Sequence, residues 1–206
     1  MKKYAVLHEP GDIVTLAGTK FVVLNIECCP GSCEPESLLL LALESVGESE
    51  FGSSNNYAES DLKKAVDKWL EDMGKRGLDN AKLISREIDL TTLDGSGCYG
   101  KLSVKAAPLT LDEARLYEAF IPNAERWCWL ATGWSGPSKS DGGFALCVDS
   151  GGDWGSSNYC SRSCGIRPAL KAPSILFEDS EAGLDLSKIP TDDLLQEIHR
   201  RLAEKA

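Results

Sequence analysis

The chain has 206 residues, 42% of them hydrophobic and 26% charged, enough to bury about 70% of its unfolded surface around one core without a metal or a disulfide. Its formal net charge of -10 opposes phosphate backbones and anionic membrane surfaces, so nucleic acid is not an expected partner. No run approaches the roughly 20 apolar residues of a membrane span, and Ala5-Val6-Leu7 is too short for a signal-peptide core. The expectation is a protein made in the cytoplasm, without membrane insertion, whose eight cysteines are mostly buried or idle thiols.

Ile13-Val14-Thr15-Leu16 and Phe21 to Ile26 are β-branched runs around the turn Ala17-Gly18-Thr19-Lys20, which predicts a hairpin. Leu38 to Leu43 predicts a buried strand beside it. Between them, Cys28 to Pro35 carries two prolines and a glycine and reads as an exposed loop. Ser60 precedes Leu62, Ala65, Val66, Trp69, Leu70 and Met73 at helical spacing, with charged residues opposite, predicting a helix that ends at Gly74. Thr110-Leu111-Asp112-Glu113 has the spacing of a capping box and opens a short helix with an apolar stripe of Ala114, Tyr117 and Phe120 or Ile121, ending near Pro122. From Trp127 the composition turns to tryptophan among Gly and Ser, with Phe144 to Val148 as the one clear strand. An acidic linker, 173–190, leads to an amphipathic helix over 191–206, with Leu194, Leu195, Ile198 and Leu202 on one face, suited to self-association.

The order of motifs resembles a domain-of-unknown-function family of gut bacteria and their phages. It runs from Gly11-Asp12-Ile13-Val14 through Phe21-Val22-Val23-Leu24, Ser60 to Trp69-Leu70, and Leu109-Thr110-Leu111-Asp112-Glu113-Ala114. It closes on Trp127-Cys128-Trp129-Leu130 and Gly165-Ile166-Arg167-Pro168-Ala169-Leu170. The family's usual Arg-Ser after Trp-Leu is replaced here by Ala131-Thr132. The resemblance implies an α+β, C-type-lectin-like fold, also that of formylglycine-generating enzymes: mixed, twisted antiparallel sheets with two helices and a long loop-rich region over 1–172. It also implies a phage or prophage origin, which would make the protein virion-associated. The closing segment is similar to the variable regions of diversity-generating retroelement targets, in which loop residues are diversified.

In such a fold the segment before the last strand is a surface loop on a rigid sheet, where binding usually lives. Trp134, Asp141, Asp149, Asp153, Trp154, Asn158, Tyr159 and Arg162 mix flat aromatic faces with adaptable polar groups, the chemistry of paratopes and sugar sites. They are the candidate contacts for a protein or glycan ligand. Trp69, Trp127, Trp129 and Arg167 are read as scaffold, Arg167 anchoring loops. Catalysis is not expected, because His8 and His199 are the only histidines and cannot build a multi-histidine or Ser-His-Asp constellation. No cofactor or metal is expected: Cys29/Cys33 and Cys160/Cys164 lie far apart without a neighbouring histidine, and Ile121-Pro122-Asn123 lacks the acid of a calcium-lectin motif. The alternatives are a thiol-dependent enzyme of the formylglycine-generating type, using Cys160 and Cys164, and a structural virion component.

Overall fold

The structure is a computed structural model that describes residues 8–28, 35–139, 142–153 and 156–176. Among the described residues, twelve strands run in chain order: β1 Ile13–Leu16, β2 Thr19–Cys28, β3 Pro35–Ala42, β4 Glu48–Glu50, β5 Arg86–Asp89, β6 Lys101–Val104, β7 Ala106–Ala107, β8 Cys128–Gly133, β9 Phe144–Val148, β10 Ser156–Tyr159, β11 Ser163–Gly165 and β12 Ala169–Pro173. The helices are α1 Asp61–Lys75 and α2 Leu111–Leu116. The architecture is mixed α+β, mostly sheet, with no closed barrel among the described residues.

The first sheet has the order β1-β2-β3-β12-β7. Its opening hairpin turns on Ala17 (φ 45°) and Gly18 (φ 75°), the two positive φ values of a type I′ turn. Phe21 to Leu24 are buried without alternation, as befits a strand covered on both faces. The β2–β3 ladder runs out to Cys28 opposite Pro35, so strand pairing extends to both ends of the segment expected to be loop. The strand that completes this sheet comes last: Ala169 to Pro173 pair antiparallel with Leu41 to Ser37.

Ser60 caps α1, its hydroxyl accepting from the Lys63 N–H at 2.9 Å, and Trp69 brings the helix against Phe21 with ring centroids 6.3 Å apart. The helix passes the expected stop at Gly74 and ends after Lys75, where Gly77 takes φ 104° and the Leu78 N–H returns to the Met73 carbonyl at 3.1 Å. Gly77 supplies the left-handed geometry of a helix terminus. Gly74 instead gives room to Asn80, whose Nδ2 would lie 3.0 Å from an added Cβ and donates to the Leu70 carbonyl.

The capping box on α2 is complete in both directions, and Glu113 also forms an ion pair with Arg86 of β5. That guanidinium donates a second bond to the Ala107 carbonyl at 3.0 Å, so one arginine ties the small β5–β6 sheet to α2.

The second sheet, in the order β10-β9-β8-β11-β4, corrects the expectation of a single clear strand after Trp127. All six residues of β8 are buried, so it lacks the alternation that marks a half-exposed strand. Apart from Tyr159, the strands β10 and β11 are made of Ser, Asn, Cys and Gly, with little intrinsic strand preference, and pair because β9 offers a template to β10, and β4 with β8 to β11. Trp129 is fully buried, its indole N–H donating to the Ser49 carbonyl at 2.9 Å and its ring edge-on to Phe51. Trp127 differs from its scaffold reading, with 43% of its surface exposed.

Residues up to Ser174 form one unit, two residues beyond the expected boundary, and those from Ile175 on a second. The predicted tail helix over 191–206 and all of 173–190 past Leu176 lie outside the described residues. No described helix is long and apolar enough to cross a membrane.

Candidate functional site

Beside α2 lies a cleft of about 550 Å³. Leu93, Leu111 and Leu146 give it apolar lining, and Arg115, Glu118 and Asp153 carry charge into it. One wall is the turn from Asp149 to Asp153. The Asp149 carboxylate accepts from its own loop, at 2.8 Å from the Gly151 N–H and 3.0 Å from the Asp153 N–H, while the Asp149 N–H donates to the Asp153 carbonyl at 2.9 Å. Asp149 therefore shapes the turn, its oxygen spent on backbone amides as in an Asx-turn. Gly152 sits at φ 90° with an added Cβ 2.5 Å from the Asn123 Oδ1, so only glycine lets the turn close onto the segment after α2. A recess of about 250 Å³, shared between Gly151, Gly152, Ile121 and Asn123, continues the cleft there.

Those of the residues expected to bind that the structure describes do not form one surface. Asp153 lines the cleft, and Trp134 packs against the cluster containing Leu111 and Leu146, so part of the Trp134 surface serves the core. Along β9, Leu146 alternates with Ala145 and Cys147, and in the register Tyr159↔Phe144, Asn158↔Ala145, paired residues share a face. Tyr159 thus lies on the Leu146 side of the sheet, 56% exposed and stacked on Phe144 with centroids 4.2 Å apart. Asn158 belongs to the opposite side, where its Nδ2 donates to the Cys164 sulfur at 3.5 Å and its Oδ1 accepts from the Tyr159 N–H, so it does not share a face with Tyr159. Arg162 is exposed in the turn after β10, with its N–H donating to the Tyr159 carbonyl. Asp141 and Trp154 lie outside the described residues.

The sequence reading missed the residue that holds this region in place. Asn55, 1% exposed, donates from Nδ2 to the carbonyls of Ser135 at 2.9 Å and Phe144 at 3.0 Å, and its Oδ1 accepts from the Tyr99 hydroxyl at 2.6 Å. Gly133 is glycine because an added Cβ would meet Asn55 at 2.8 Å. One amide thus fixes both ends of the segment joining β8 to β9. No signal in Ser53-Ser54-Asn55-Asn56 distinguishes this asparagine from its neighbour.

The thiols are arranged differently from the expected Cys160/Cys164 pair. Burial pushes Cys160 up to about 12, which keeps it protonated and poorly nucleophilic. Cys164 hydrogen-bonds Cys147 instead, and that contact lowers the Cys164 pKa and raises that of Cys147. Among the described residues no group of three or more His, Cys, Asp or Glu side chains is placed to hold a metal; Cys29 and Cys33 lie outside them.

Arg167, 5% exposed, donates from Nε to the Ala42 carbonyl and from Nη1 to the Pro122 carbonyl, both at 2.8 Å. Its bonds join the end of β3 to the segment after α2, and burial lowers its pKa. None of the protein-family models, curated proteins or solved structures compared with this chain matches it.

Proposed function

We propose that this chain is a non-catalytic ligand-recognition protein with a C-type-lectin-like fold, encoded by a phage or prophage, that binds a protein or glycan in the cleft beside α2. The observation that carries the reading is the Asp149–Asp153 turn, a loop closed by its own carboxylate and set against a cleft lined by leucines and charged side chains. A preorganised loop loses little entropy on binding. An apolar floor with a few charged groups at the rim suits an extended ligand better than buried chemistry. Tyr159, stacked on Phe144 on the same side of the sheet, adds a flat amphipathic contact of the kind that recognises sugars and protein surfaces.

The test is a glycan-array and cell-surface binding screen of the wild type beside a Leu93→Ala/Tyr159→Ala double variant. Tyr159 is 56% and Leu93 40% exposed, so the variant should remain folded with a small loss of thermal midpoint and lose at least about tenfold in affinity, the effect of one or two interface residues worth more than 1 kcal/mol each. Unchanged binding by a folded variant moves the site elsewhere. The proposed diversification of the loop is a separate matter, decided by whether the encoding locus carries a near-repeat of the 3′ coding segment and a reverse transcriptase.

A further inference from the structure

Next to the recess at Ile121 is a second, much smaller cavity of about 20 Å³, lined by Leu41, Leu109, Ile121, Trp129, Val148 and Arg167 among others. Its walls are hydrocarbon and aromatic except for the guanidinium and the Cys128 thiol. Among the described residues Arg167 forms no ion pair within contact distance; its bonds go to two neutral carbonyls, the exposed Glu44 carboxylate acts on it only from longer range, and Nη2 has no acceptor. Burial pushes Cys128 up to about 11, so at neutral pH the thiol carries no compensating charge.

A buried cation without a counter-charge in direct contact is costly, and an unsatisfied N–H adds to the cost. Two neutral carbonyls answer the hydrogen-bonding need of Nε and Nη1 and leave the charge without a contact partner and Nη2 without an acceptor. We infer that this cavity is a binding site for one small monovalent anion, chloride in the cell, held by Arg167 Nη2 in an otherwise apolar shell. The size selects the ligand: about 20 Å³ admits one particle near the size of water, which excludes sulfate and phosphate. A water molecule supplies an acceptor and no charge, whereas a halide supplies both. Ile121 and Val148 line both this cavity and the outer recess, so these side chains separate the two. Because Nη1 holds the Pro122 carbonyl, the bound ion also fixes the segment that Gly152 packs against, coupling ion occupancy to the shape of the cleft.

The whole chain is tested by thermal unfolding in sodium chloride, bromide, gluconate and sulfate at matched ionic strength, and by crystals soaked in bromide. The expected result is a midpoint that rises with chloride or bromide by roughly 3–5 °C per tenfold increase above half-saturation, stays flat in gluconate and sulfate, and accompanies an anomalous bromide peak at Nη2. An Arg167→Met variant should lose the halide response. Should that variant fail to fold, the wild-type bromide map decides alone. Equal midpoints in all four salts, or density at Nη2 that carries no anomalous signal and fits water only, overturns the assignment.

Discussion

Replacing Asn55 by alanine removes three hydrogen bonds at once, and their geometry sets the size of the loss. The Phe144 carbonyl keeps a second donor, the Trp134 N–H at 3.0 Å, and the half-buried Tyr99 hydroxyl can turn to water. The Ser135 carbonyl is buried with Asn55 and is the group stranded. A stranded buried acceptor costs about 1–3 kcal/mol and each net bond lost about 1 kcal/mol, so Asn55→Ala should destabilise the protein by about 2–4 kcal/mol. For a chain of this length that is a fall of roughly 5–15 °C in thermal midpoint, read by circular dichroism and checked by urea titration. Tyr99→Phe, which removes one bond, should cost about 1 kcal/mol. Asn55→Asp should be worse than alanine at neutral pH, since it aims carboxylate oxygens at two carbonyls. An alanine variant within about 0.5 kcal/mol of wild type, the range of an ordinary surface substitution, would refute the claim that Asn55 holds the β8–β9 segment.

Other substitutions probe separate parts of the molecule. Ala17 holds a left-handed φ of 45° that alanine disfavours, so Ala17→Asn, giving the Asn-Gly pair preferred in type I′ turns, should raise stability by about 0.5–1 kcal/mol in urea titrations; a loss would argue against that turn type. Glu113→Gln leaves the Arg86 guanidinium buried without its counter-charge and should cost about 3 kcal/mol, with a coupling energy between the two positions in a double-mutant cycle; strict additivity would show the pair to be independent. Hydrogen bonds from Lys139 and then Thr92 hold the Asp94 carboxyl down from its ordinary 3.8 to about 2. Its contribution is therefore complete above about pH 4 and disappears as pH falls through 2. The stability difference between wild type and Asp94→Asn should be flat above pH 4 and shrink below it, and a difference that grows on acidification has the wrong sign.

The first hairpin and both helices were legible because their signals are local: β-branched runs around Ala17-Gly18, a 3.6-residue apolar series after Ser60, and a capping box at Thr110. Gly74 misled because a glycine in a helix can serve a neighbour as well as a terminus, and Asn80 arrives from outside the helical window. The strands β10 and β11 carry no local signal because their pairing comes from β9, β8 and β4, and the β5–β6 hairpin carries little because its strands are short and joined by eleven residues of loop-like sequence. Of the candidate site, the loop carrying Asp149 and Asp153 could be found from its glycines, but its partners could not. Leu93, Arg115 and Glu118 are ordinary residues that tertiary packing alone brings to one cleft. The two faces of β9 also separate Asn158 from Tyr159, a consequence of register that adjacency in sequence conceals.

The insertion of β12 between β3 and β7 dictates when this molecule can assemble. The meander of β1, β2 and β3 is ready once some 42 residues are made, yet the edge of β3 that carries Leu38 to Leu41 waits for Ala169 to Pro173. During synthesis at about 5–20 residues per second, an apolar strand edge therefore stays open for roughly 7–26 s, the form most prone to pair with another chain. Completion of the sheet is a late, long-range event, so folding should be slow and largely complete only after the ribosome has passed residue 173. Chains truncated before β12 should partition to aggregates and chaperones rather than to a smaller folded domain.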